Sequence, residues 1–208
     1  MGITIHYRGR LNSPNMIDPL SEEVEDIARS LAWGLHRWEE DLSKPNTARV
    51  LRRKDHIEIS GHVPLRGLTL FPHRHCEPVS LTFDRRGYLL DAFGMTLVSS
   101  GERKPGNIWL STKTQFSPLE IHITIVQLFH YLKKKYIGNL EVSDDGGYWE
   151  SGNIQDLERR VDSINRSLDL LESALRAHPL TPAEKETPKK IAEIIEKIIK
   201  DKFGGHNG

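Results

Sequence analysis

The stretch Ser117-Pro118-Leu119-Glu120-Ile121-His122-Ile123-Thr124-Ile125-Val126-Gln127-Leu128-Phe129-His130-Tyr131-Leu132-Lys133-Lys134-Lys135 sets the fold class. It opens with an N-cap serine, a proline at the first helical position and a glutamate at the third, which together read as a capping box. It closes with three lysines where the helix dipole favours positive charge, and Gly138 follows as a stop. At about 100° per residue, Ile121, Ile125, Val126, Leu128, Phe129 and Leu132 fill a wide apolar arc. A stripe that wide predicts a helix packed deeply on a sheet.

Outward from this helix the pattern changes to short alternating runs. Residues 139–143 read as a strand ended by the turn Asp144-Asp145-Gly146-Gly147. Upstream, residues 56–60, 67–71, 79–83, 88–93 and 107–114 alternate apolar and polar, punctuated by Pro64, Pro72, Pro78 and Pro105. Asp84-Arg85-Arg86-Gly87 between two such runs predicts a hairpin loop. Residues 3–7 give a first strand, and residues 22–38, with Ser21 as cap, predict an amphipathic helix. No helical pattern interrupts residues 47–114, so a regular βαβ alternation is missing. The fold expected is α+β, a mostly antiparallel sheet with two main helices packed on it, followed by a C-terminal helical hairpin or coiled-coil arm.

The domain expectation is a core over residues 1–150 and an arm over 151–208. The arm carries one aromatic residue, Phe203, out of the chain's fifteen. In it Ile154, Leu157, Val161, Ile164, Leu168, Leu171 and Leu175 recur at alternating spacings of 3 and 4, a heptad row. Pro179, Pro182 and Pro188 break the chain before a second apolar run, Ile191 to Ile199, with Thr187 as its cap. The last residues, 204–208, are expected to be disordered.

Charge is balanced, with 29 Lys+Arg against 29 Asp+Glu. Each part balances separately, at 19 against 19 over residues 1–150 and 10 against 10 over 151–208. That disfavours nucleic acid as a partner, because neutralising phosphates takes clustered cations. The single cysteine, Cys76, excludes an internal disulfide and suggests a reducing, cytoplasmic setting. No run is apolar enough for a membrane span.

Nucleotide-loop, serine-hydrolase and zinc-protease signatures are absent. The sharpest chemical feature is Pro72-His73-Arg74-His75-Cys76-Glu77. On an extended segment His73 and His75 share a side and can meet one metal ion, zinc by preference. His62 or His122 would be the third ligand, and Glu77 a general base. Cys76 as nucleophile needs a lowered pKa, and a buried small hydrophobe is the preferred reading. His122 falls inside the apolar arc and reads first as a satisfied core residue. Tyr148 and Trp149, after a glycine turn, are candidates to line a pocket.

The leading expectation is therefore a protein-interaction module that forms a homo-oligomer or binds a protein partner through the C-terminal helices. The competing readings are a zinc-type hydrolase built on the His73/His75 cluster and a small-ligand binder near Tyr148/Trp149.

Overall fold

The computed structural model describes residues 2–52 and 57–177. Two compact units divide the chain, one spanning Gly2–Leu157 and the other beginning at Glu158. The elements run in order β1 (Thr4–Arg8), α1 (Ile17–Ser30), β2 (Gly34–Glu39), β3 (Arg49–Arg52), β4 (Ile57–Ser60), β5 (Arg66–Phe71) and β6 (Val79–Phe83). Then follow α2 (Ala92–Ser99), β7 (Leu110–Lys113), α3 (Leu119–Lys135), β8 (Glu141–Asp144), α4 (Tyr148–Ser151) and α5 (Ile154–Ala177). The class is α+β, and every strand ladder is antiparallel.

The strands form more than the single sheet expected. They are arranged as β7-β1-β8, β2-β5-β6 and the ribbon β3-β4. The segment after the Asp84–Gly87 turn ties the first two sheets together. Leu90 N–H donates to Thr82 O (3.0 Å) on one side, and Leu89 N–H donates to Gly9 O (3.0 Å) on the other. Tyr88 bridges to Arg10 and Leu89 to Phe83. The chain does not continue as a strand to Phe93, because Asp91 accepts the Gly94 amide through its side chain and caps α2.

Strand β1 is central, and its inward residues Ile5 and Tyr7 are fully buried. Helix α3 covers that face, with the Tyr7 and Phe129 rings 4.6 Å apart. Removing a ring such as Phe129 would cost about 3–5 kcal/mol through lost burial and the void left behind. Helix α1 buries Leu20, Val24 and Ala28. It is pinned to α3 by Glu23, which accepts from Tyr131, Tyr136 and Lys135 (Nζ–O 2.7 Å). Those donors pull the Glu23 carboxyl down to about 2, the Lys135 ammonium acting most strongly.

Two helix ends differ from the sequence expectation. The predicted helix over 22–38 starts earlier, at Ile17, and stops at Ser30; Ser21 lies inside it and donates to Ile17 O (2.7 Å). The stop is a left-handed residue, Ala32 (φ 54°), with Trp33 N–H to Ala28 O (2.8 Å) and Ala32 N–H to Arg29 O (3.1 Å). That pair of bonds is a Schellman closure, normally built on glycine. Residues 34–39 are strand β2. Helix α3 begins at Leu119, and the Ser117 hydroxyl turns back to Thr114 O (2.7 Å), so the capping box does not form.

Helix α5 contains the whole heptad row, and Leu157 at its start is fully buried. The second apolar run, its Thr187 cap and residues 204–208 lie outside the described residues. No helix among the described residues is long and apolar enough to cross a membrane.

Candidate functional site

His122 is buried on α3, and both its ring nitrogens are engaged. Nδ1 lies 2.8 Å from the Thr114 hydroxyl and Nε2 lies 3.2 Å from Asp144 Oδ2. Asp144 ends β8 and also accepts amide N–H groups from Gly146 (2.7 Å), Tyr148 (2.8 Å) and Trp149 (3.0 Å). Burial opposes its charge, but the His122 hydrogen bond and charge, with the Trp149 and Gly146 amides, outweigh that and hold the carboxyl below its ordinary value. Gly146 lets this arrangement close: a Cβ there would stand 2.6 Å from a Leu157 methyl and 3.1 Å from the His122 ring. The His122 and Asp144 side chains are almost wholly out of solvent. The network fastens the residue after β7 to α3, β8 and α4.

The other histidines go elsewhere. His62 faces Glu40 Oε2 (2.9 Å) and Asp41 O (3.0 Å). The His73 and His75 rings are 5.4 Å apart, and the His75 amide donates to His73 Nδ1 (3.2 Å). Among the described residues no three His, Cys, Asp or Glu side chains form a group able to hold a metal ion. Glu77 Oε2 accepts the Lys113 amide (2.9 Å). Burial and the neighbouring Glu77 charge push the Cys76 thiol up to about 11, against a hydrogen bond from Ser117. A thiol so placed is a poor nucleophile at neutral pH.

Tyr148 and Trp149 sit on α4 between two left-handed glycines, Gly147 and Gly152. The Trp149 ring stacks on His130 (3.8 Å, 3° between planes), with the Lys133 ammonium 5.6 Å from it.

An open cleft of about 600 Å³ lies elsewhere in the same unit, and neither aromatic lines it. Three loops supply its cations: Lys44 before β3, Arg85 and Arg86 at the hairpin after β6, and Arg103 and Lys104 after α2. All five are exposed, and among the described residues only Lys44 has an ion-pair partner, Asp41 at 3.7 Å. The single carboxylate in the lining, Asp84, is buried and accepts the Arg86 and Tyr88 amides (2.9 Å each). Leu42, Pro64, Met95 and Val98 supply an apolar floor. Asn46 holds the first loop onto α2 through Ser99 Oγ (2.9 Å).

No protein-family model matches the chain, and no curated protein or solved structure matches it. What the cleft can do therefore follows from its own chemistry. Among the described residues it offers four cations without an ion-pair partner, and its lining holds no histidine, cysteine or tyrosine. Sequence reasoning missed it, because no one segment is basic. The local signals were two adjacent basic pairs, Arg85-Arg86 in a predicted hairpin tip and Arg103-Lys104.

Proposed function

We propose that the protein is a binding protein for an anionic ligand, a phosphate- or carboxylate-bearing compound held in the cleft between the Lys44, Arg85–Arg86 and Arg103–Lys104 loops. One observation carries this reading: Arg85, Arg86, Arg103 and Lys104 converge on a cleft of about 600 Å³ with no counter-ion among the described residues. Like charges brought together without a partner repel, and an arriving anion relieves that cost while gaining charge-assisted hydrogen bonds. The volume suits a small ligand. The reducing, cytoplasmic setting suggested by the single cysteine belongs to the same reading.

Calorimetric titration with inorganic tripolyphosphate at low ionic strength is the test. Saturable binding that weakens about tenfold in Arg85→Ala/Arg103→Ala, each loss removing a charge-assisted contact, is expected. Undiminished binding in that variant, or no heat with the wild-type chain, rejects the site.

A second reading is self-association through α5. The heptad row supports it, with Leu168 40 % exposed and Val161 and Ile164 half-buried. Light scattering on the full chain should give a multiple of 23.8 kDa. Leu168→Glu should reduce it to that mass, and a monomeric wild type ends the idea.

A further inference from the structure

We infer that the anion taken by the cleft is the backbone of a single-stranded nucleic acid, whose bases leave the cleft over Tyr88 and Trp109. This rests on the anion-binding reading and names its ligand. The cationic lining does not stop at the rim. Beyond Arg86, whose carbonyl accepts Arg10 Nε (2.9 Å), the Arg10 guanidinium lies 5.0 Å from the Tyr88 ring centre. Beyond Pro105, Gly106 O accepts Arg8 Nη1 (3.4 Å), and the Arg8 guanidinium lies 4.5 Å over the Trp109 ring. The two ring pairs are neighbours, since a Cβ on Gly106 would stand 3.7 Å from Tyr88 Cε1. Both rim loops of the cleft thus lead to aromatic rings braced by guanidinium groups.

Trp109 is 41 % exposed, so part of the indole is open to a ligand. A small anion would be satisfied by the cleft and would leave the exposed part of Trp109 and the half-buried Tyr88 ring uncontacted. A duplex hides its base faces inside the stack, so it has nothing to offer them. An acidic peptide matches the cations but gives no reason for ring platforms alongside them. A single strand presents phosphates at regular intervals with free base faces between, and cationic grooves flanked by aromatic platforms recognise that combination. Arg8 is shared with Glu141 (2.6 Å), so it acts as a brace for Trp109 rather than as a phosphate contact.

Fluorescence anisotropy with a labelled oligothymidylate of about ten residues, within the usual site size, tests the inference. The single strand should bind at least about tenfold tighter than the same sequence as a duplex. Its affinity should fall with salt at a log–log slope near −3, as about four phosphate contacts require. Trp109→Ala should weaken the oligonucleotide about tenfold, Trp109→Tyr should restore most of the loss, and neither should change tripolyphosphate binding. Arg85→Ala/Arg103→Ala should weaken both ligands. If tripolyphosphate binds but the oligonucleotide gains nothing over it, the nucleic-acid inference fails and the anion site stands. The same holds if Trp109→Ala leaves the oligonucleotide affinity unchanged, or if polyglutamate competes as well as the oligonucleotide does. If neither ligand binds, the anion site itself is wrong.

Discussion

The His122 imidazole and the Asp144 carboxylate, 22 residues apart, meet at 3.2 Å with both side chains almost wholly out of solvent. Asp144 also gathers three amide N–H groups. Asp144→Asn should therefore cost about 2–4 kcal/mol at neutral pH, since the buried His122 ring and three amide N–H groups lose a charged acceptor. The Asp144 pKa is lower folded than unfolded, so its stabilisation is complete above the unfolded value near ~3.9 and is lost as pH falls through the folded one. Urea melts at neutral and acid pH check this. The gap between wild type and variant should shrink on the acid side, and a gap independent of pH would contradict it.

Ala32→Gly should stabilise the chain by about 0.5–1 kcal/mol. The Schellman closure of α1 needs φ near +54° at this position, where a Cβ is unwelcome and glycine is at home. Residue 32 is exposed, so no packing is lost. Thermal denaturation of the two proteins decides the sign.

Cys76 should react with a disulfide reagent at pH 8 roughly a hundredfold more slowly than an ordinary thiol, and faster with each pH unit up to about 11. Stopped-flow thiol titration reads this directly. A fast reaction at neutral pH would instead support a nucleophilic role.

In a carboxyl-detected titration Glu23 should titrate near about 2, well below the ~4.3 of an ordinary glutamate. Lys135→Met should bring it up, because the ammonium is the largest influence on it. A Glu23 value unmoved by that substitution would mean the tyrosines hold it instead.

What was legible in the sequence is what local chemistry decides. Helix α3 has the expected stop at its basic last turn, β6 has the expected bounds, and Asp84-Arg85-Arg86-Gly87 is the expected turn, because each is specified by residues adjacent in the chain. The end of α1 was hidden because alanine does a glycine's work there, and the apolar period ran on through Leu35 and Trp38 into β2. The alternation from Tyr88 to Phe93 concealed the start of α2, since one Asp91 side chain overrode it. The cleft was illegible for a different reason. Its cations lie on three loops that only the finished fold assembles, and counting charge along the chain averages them away.

Of the described strands, β1 comes first in the chain and is completed last. Its neighbours on either side are β7 and β8, and Arg8 finds Glu141 across 133 residues. As the chain leaves the ribosome, residues 4–8 wait with both edges bare until β7 is made and with one edge bare until β8 follows. Such distant pairings slow folding and expose a hydrophobic strand to foreign partners.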